Sequence, residues 1–389
     1  MKFVPLQCMP KTLESLETPC LVLDAGRLEQ NIARMRAKIR AHGVALRPHV
    51  KTAKNIEVTR LALGGDTNRG KITVSTLKEA EFFFSAGIRD ILYAVGITPN
   101  KLDHALQLRR DGADLTLILD NIETARIVTQ KGATEGEPFP VLLEIDCDGH
   151  RSGIHPDHPH LLEIARIVHE GNGTLLRGVM THAGSSYSCR RVEAIQAVAE
   201  QERAAVVHCA ERLATAGLPC PIVSVGSTPT ATFAESLAGV TEVRAGVFVF
   251  FDLVMAGLEV CSIDDIAISV LTTVLGHQPG KGWIITDAGF MALSRDRGTA
   301  RQKIDQGYGK VCDIEGKPID NLTVLDTNQE HGIIGDRFGH SLDVSKFPVG
   351  TALRILPNHA CATAAQHSHY HVIRDGTALD AVWERFNGW

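Results

Sequence analysis

Two textures of apolar and polar positions follow one another along the chain. From about residue 44 to 251, short apolar runs alternate with helix-length segments that carry apolar residues at i, i+3 and i+4. The runs are Val44 to Val50, Lys71 to Ser75, Asp90 to Val95, Asp114 to Asp120, Pro140 to Asp146, Leu176 to His182, Pro221 to Ser227 and Glu242 to Phe251. Eight strand–helix units in that span predict an α/β fold, a TIM (β/α)8 barrel. The doubly wound sheet shares this alternation, but no Gly-x-Gly-x-x-Gly turn follows the first run. After Leu258 the pattern changes to short runs (Ile266 to Leu275, Trp283 to Ile285, Leu322 to Leu325, Ala352 to Leu356, Tyr370 to Ile373) separated by Gly, Pro and Asp. Such spacing predicts an antiparallel β domain. One more strand-like stretch, Thr18 to Asp24, lies outside the eight and is assigned to that second domain. The expected division is a barrel over 26–256 and a β domain built from 1–25 and 257–389.

Composition narrows the possible partners. The 389 residues are 44% hydrophobic with a net charge of -5 and no block of like charge. That leaves no basic footprint for nucleic acid or a membrane surface, and makes a small molecule the expected partner. Pro5, Gln7 and Pro10 break up any apolar leader, and Asp252 and Glu259 interrupt the longest apolar stretch, Val247 to Val260. Neither a signal peptide nor a transmembrane segment is expected. Nine cysteines without paired spacing point to a reducing cytoplasm.

Five stretches carry candidate chemistry. Arg47 to Thr52 delivers Lys51 at a strand-to-helix junction, where parallel α/β folds place their active sites; read alone, a lysine there is more often a solvated surface residue. Ser224 to Thr230 follows the seventh run and offers Gly226, Ser227 and Thr228 ahead of Pro229, a pattern suited to a phosphate at a helix start and also to an ordinary N-cap on Thr228. Glu144 to Gly153 presents Arg151, either a ring- or carboxylate-binding group or a turn arginine. Thr181 to Tyr187 sets His182 and Tyr187 around small residues, leaving room for a flat ligand. Pro357 to Thr363 holds His359 and Cys361 two apart, so that an extended chain would point both the same way; imidazole and thiolate together suit zinc. His367, His369 and His371 form a rival set on the next strand.

Taken together, these stretches resemble the fold-type III pyridoxal-phosphate enzymes of the D-serine dehydratase and D-threonine aldolase family. The likeness covers essentially the whole chain. It is carried by Arg-Pro-His-Val-Lys-Thr at 47–52, Val-Ser-Thr-Leu-Lys-Glu-Ala-Glu at 74–81, Asp-Gly-His-Arg-Ser-Gly at 148–153, Thr-His-Ala-Gly-Ser-Ser-Tyr at 181–187, Val-Ser-Val-Gly-Ser-Thr-Pro-Thr at 223–230 and Ser-Arg-Asp-Arg-Gly-Thr-Ala-Arg-Gln-Lys at 294–303. The resemblance implies an alanine-racemase-like barrel with a β domain, a homodimer, and pyridoxal 5'-phosphate held as a Schiff base on Lys51. It also implies that Gly226, Ser227 and Thr228 bind phosphate, that Arg151, His182 and Tyr187 form the cofactor pocket, and that His359 and Cys361 hold a divalent metal. Zinc is favoured, with manganese, cobalt or magnesium as alternatives. Phe248 departs from the family, which often has tyrosine at this position of the eighth strand.

The activity so implied is dehydration and deamination of a D-3-hydroxy amino acid, such as 3-hydroxyaspartate or D-serine. The metal would assist the departing hydroxide. A metal-dependent aldolase, an amino-acid racemase and a non-catalytic pyridoxal-phosphate-binding protein remain as alternatives.

Overall fold

A computed structural model describes residues 12–67, 70–374 and 376–389. The extreme N-terminal residues, where the sequence argues against a leader, lie outside the described residues. The chain forms two compact units, one taking it as far as Ile32 and then Val249–Asn387, the other Ala33–Phe248 with Gly388–Trp389.

Strand β1 (Cys20–Asp24) is followed by the eight strands of the second unit: β2 (Ala45–Pro48), β3 (Lys71–Val74), β4 (Asp90–Gly96), β5 (Asp114–Leu119), β6 (Phe139–Ile145), β7 (Thr174–Thr181), β8 (Ile222–Val225) and β9 (Glu242–Ala245). They form one parallel sheet in the order β2-β9-β8-β7-β6-β5-β4-β3. Its two ends are joined by a bridge between His49 and Thr73, where the Val50 N–H donates to the Thr73 carbonyl at 2.9 Å. The predicted alanine-racemase-like barrel is therefore present, nearly closed. Strands in such a sheet are covered on both faces and read as continuous apolar runs, and β6 is buried over its whole length.

Inside the barrel the arginines are hydrogen-bonded. Arg47 on β2 donates from Nε to both carboxylate oxygens of Glu242 on β9 at 2.9 Å, and from Nη1 to Asp90 at 2.7 Å and the Ile72 carbonyl at 3.1 Å. One guanidinium thus ties four strands. Arg244 is equally buried, donating to Ser224 Oγ at 2.6 Å.

The eighth strand is shorter than expected. It ends at Ala245, and Val247–Val249 form a 3-10 turn in which the Phe248 ring is fully buried. Phe248 is therefore a packing residue in a turn, and not a strand position.

The other unit holds β10 (Ile268–Gln278), β11 (Trp283–Thr286), β12 (Lys310–Cys312), β13 (Pro318–Thr327), β14 (Gly332–Asp336), β15 (Ala352–Leu356), β16 (His369–Ile373) and β17 (Leu379–Glu384). With β1 they make a nine-stranded sheet, β11-β14-β13-β12-β15-β10-β1-β16-β17, in which β11 also pairs with β10. Every pairing is antiparallel except β1 with β16, where Val22 faces His371. The N-terminal strand thus belongs to the β unit, as its sequence suggested, and Cys20, Val22, Leu271 and Ile373 share a core there. Among the described residues no helix is long and apolar enough to cross a membrane.

Candidate active site

Lys51 lies three residues beyond β2, in the turn that leads to the helix Ile56–Leu63. That helix starts where Asn55 accepts the Val58 N–H at 2.8 Å, and stops at Gly64, whose φ of 77° is left-handed. The Lys51 side chain is exposed and makes no hydrogen bond or ion pair with a described residue. Its neighbour Lys54 is different: its Nζ lies 3.1 Å from the fully buried carboxylate of Glu79.

His182 and Lys51 belong to one electrostatic neighbourhood. His182 follows β7, and its Nδ1 lies 2.6 Å from the Gly226 carbonyl, so this nitrogen carries the proton and donates. Burial lowers the His182 pKa, and Lys51, Arg244 and Arg151 push the same way, to about 4. The ring is neutral at physiological pH and keeps Nε2 as an acceptor. The Tyr187 ring sits 6.2 Å from it, centre to centre, and is partly exposed.

His49 is a neighbour that sequence reasoning passed over, although it stands two residues before Lys51. Its pKa is held well below the usual value by burial, then by Lys51, Arg244 and His182, and its buried Nδ1 has no hydrogen-bond partner among the described residues. Arg151 is exposed, with Nη2 3.8 Å from Glu144. The turn that carries it bends at Gly153, whose φ is 109° and where a Cβ would fall 2.5 Å from the Asp146 backbone nitrogen.

The expected phosphate loop differs in detail from the sequence reading. Ser227, and not Thr228, caps the helix Thr228–Phe233, and Pro229 is its second residue. The Gly226 N–H already donates to Glu202 at 3.1 Å, and the Ser227 N–H to Thr230 Oγ1 at 3.2 Å. Gly226 is needed for clearance: its φ is 151°, and a Cβ there would lie 1.9 Å from the Arg244 carbonyl oxygen. Thr228 is the group left for an anion, because its hydroxyl is buried with no partner among the described residues. An orphaned donor at a helix start fits a phosphate-bearing cofactor.

The β unit carries the proposed metal pair. His359 precedes the short helix Ala360–Ala364, and Cys361 is its second residue, so the extended geometry expected from the sequence is replaced by a helical turn. The two side chains still meet. Burial alone would lower the His359 pKa, but hydrogen bonds to Asp296 and Cys361 raise it, to about 11. His359 Nδ1 lies 2.7 Å from Asp296 Oδ2, which leaves Nε2 for a ligand. A carboxylate behind a histidine in this way orients it for metal binding. Sequence spacing gave no sign of Asp296, which lies 63 residues away. Among the described residues no group of three or more His, Cys, Asp or Glu side chains is arranged to hold a metal. The pair fits an open site completed by water or substrate. The rival histidines do not join it: His367 Nε2 bonds the Ala292 carbonyl at 3.0 Å, and His369 Nε2 meets His371 Nε2 at 3.1 Å.

Comparison with known proteins agrees with this architecture. Residues 23–254 match the alanine racemase N-terminal domain and residues 267–373 the serine dehydratase domain. The chain is 55% identical to D-threo-3-hydroxyaspartate dehydratase of Delftia sp. (strain HT23), covering 98% of this chain and 100% of that one. A solved structure of that dehydratase superposes with a TM-score of 0.95, again over 98% and 100% of the two chains. This chain is also 32% identical to D-serine dehydratase of Dictyostelium discoideum, covering 94% of this chain and 96% of that one. This chain belongs to the alanine-racemase-like family that includes the D-serine and D-threo-3-hydroxyaspartate dehydratases. Family membership supports pyridoxal 5'-phosphate as the cofactor.

Proposed function

We propose that this chain is a pyridoxal-phosphate-dependent lyase that releases ammonia from D-3-hydroxy amino acids. D-threo-3-hydroxyaspartate would give oxaloacetate and D-serine would give pyruvate. The observation that carries this reading is full-length identity of 55% with a dehydratase of that substrate. A 3-hydroxy-D-aspartate aldolase of Paracoccus denitrificans is related more distantly, at 28% over 95% of this chain.

Pyridoxal phosphate supplies an electron sink for the substrate α-carbon. The residues around its proposed place divide the remaining work. Lys51 Nζ, with no partner among the described residues, is the amine to hold the cofactor and then the base to take the α-proton. Thr228 Oγ1 is placed to donate to the phosphate. His182, fixed through Nδ1 to the Gly226 carbonyl, offers a neutral face for the ring, with Tyr187 beside it. Arg151 is the cation on the loop after β6 and is assigned to the ring or to a substrate carboxylate.

A divalent ion, zinc by the donor set, supplies a Lewis acid for a hydroxyl that leaves poorly. His359 Nε2 and Cys361 Sγ would hold it, with Asp296 orienting the imidazole. A solved D-threo-3-hydroxyaspartate dehydratase with a cysteine-to-alanine substitution, 54% identical to this chain, is described as the metal-free form. That supports a metal on a cysteine.

The test is an assay of ammonia and keto-acid release over a panel of D- and L-3-hydroxy amino acids. D-threo-3-hydroxyaspartate and D-serine should react, and their L-enantiomers should not. Release of ammonia from none of them would refute the proposal. The same reading includes a cytoplasmic enzyme, supported by eight described cysteines that are all free, and a homodimer. Phe338 and Val349, each 67% exposed, with Met291 and Ile304, give the β unit apolar surface for self-association. Sedimentation should find twice the chain mass, and a fully active monomer would contradict the dimer.

A further inference from the structure

The long helix Val192–Thr215 buries a stripe of Ile195, Ala199, Glu202, Val206, Cys209 and Leu213. Five of these six are the apolar or weakly polar residues such a stripe requires. Glu202 is the exception, 2% exposed, and it forms no ion pair with a described residue. A small cavity beside it is lined by Ala199, Val225, Ala231, Ala234, Leu237 and Val243, with Thr230 as the other polar side chain. In these surroundings leucine would pack without the desolvation cost of a carboxylate. The presence of a carboxylate therefore calls for a reason other than core packing.

The reason lies in its hydrogen bonds, which run to two backbone amides and the Thr230 side chain. A single oxygen, Oε1, accepts the Ala183 N–H at 2.9 Å and the Gly226 N–H at 3.1 Å. Ala183 directly follows His182, and Gly226 is the residue whose carbonyl takes the His182 Nδ1 proton at 2.6 Å. Glu202, the Ala183 amide, the His182 ring and Gly226 therefore close a ring of hydrogen bonds between the loops after β7 and β8. Ser186 Oγ, 3.0 Å from Ser227 Oγ, laces the same two loops again. Both loops lead into the proposed cofactor groups: one carries His182 and Tyr187, the other Thr228, whose hydroxyl has no partner among the described residues.

We infer that Glu202 is a positioning residue for the cofactor, whose one carboxylate oxygen sets the spacing between the His182 loop and the Thr228 loop. This rests on the barrel taking pyridoxal phosphate. What matters is an acceptor at the Oε1 position, so a neutral amide, whose carbonyl oxygen occupies the same place, should suffice. An alkyl side chain should not, because it leaves two buried amides unbonded and the loops free to separate. Two hydrogen bonds from buried amides are worth enough that losing the pair should weaken cofactor binding by about tenfold or more.

The experiment compares wild type, Glu202→Gln and Glu202→Leu as cofactor-free proteins. Thermal melting is recorded for each, followed by titration with pyridoxal phosphate, read by its visible absorption and by quenching of protein fluorescence. Glu202→Gln should bind within about threefold of wild type. Glu202→Leu, which leaves two buried amides unbonded, should melt below wild type and, at a temperature where it is folded, bind at least about tenfold more weakly. Leucine protein that binds as tightly as wild type overturns the inference. So does glutamine protein that melts normally but has lost a factor of ten, a result that needs no folded leucine variant. Wild-type protein that takes up no pyridoxal phosphate overturns both this inference and the proposed function, which separates the two failures.

Discussion

Lys51→Ala should remove the visible band of the lysine-linked cofactor and lower turnover by roughly 10³-fold or more, because one amine serves as both covalent holder and proton acceptor. The neighbouring Lys54 makes this a sharp comparison. Its Nζ lies 3.1 Å from the Glu79 carboxylate, which is fully buried and also accepts the Ser75 N–H at 2.8 Å. Removing that ammonium would strand a buried charge, at a cost of about 3–5 kcal/mol in stability. Lys54→Ala should therefore melt earlier but, at a temperature where it is folded, keep most of its turnover. Lys51→Ala should do the reverse, since its side chain is exposed and bonds no described residue. The deciding measurement is kcat for both variants beside their melting curves. Ordinary turnover in Lys51→Ala would show that the wrong lysine has been assigned.

How much of this could be read from the chain follows from what kind of interaction each feature depends on. The barrel was legible because a parallel strand covered on both faces needs a nearly continuous apolar run, and β6 is such a run. The short strands of the β unit were less so: β12 has three residues, and β14, Gly332–Asp336, has two glycines in five, leaving little alternation to count. The eighth strand was read too long because Val247, Phe248 and Val249 are as apolar as a strand, yet they turn inward as a buried 3-10 segment. Candidate site residues were legible where the chemistry was concentrated in one short stretch, as at Lys51 or at His359 and Cys361. Their supports were not. Asp296 behind His359 and Glu202 behind Gly226 act across 63 and 24 positions, and neither residue differs in sequence from an ordinary surface acid. Gly226 shows a third case, in which the residue type was picked out for phosphate approach and the structure requires it for clearance from Arg244.

Stripping the metal should separate chemistry from cofactor binding. The proposed ligands, His359 and Cys361, and the proposed cofactor groups, Lys51 and Thr228, belong to different units of the chain. Chelated protein should accordingly keep its visible cofactor band while ammonia release from D-threo-3-hydroxyaspartate falls by about 10²-fold or more. Hydroxide is a poor leaving group, Lewis-acid assistance contributes several kcal/mol, and each ~1.4 kcal/mol is tenfold in rate. Added zinc should restore the rate. His359→Ala and Cys361→Ala should each match the chelated wild type and resist rescue, since neither a lone thiolate nor a lone imidazole makes a site. Asp296→Asn should be milder. It keeps both ligands but weakens the partner that orients the imidazole at 2.7 Å, so a loss of about 10–100-fold in metal affinity is expected, recoverable at higher zinc. An aldolase would also fail without its metal, and the product decides between the two. Oxaloacetate and ammonia should form in equal amounts, as breaking the bond from the β-carbon to oxygen requires. Glycine and glyoxylate as the main products would mean that the bond between the α and β carbons is the one that breaks, and the dehydratase assignment would fall.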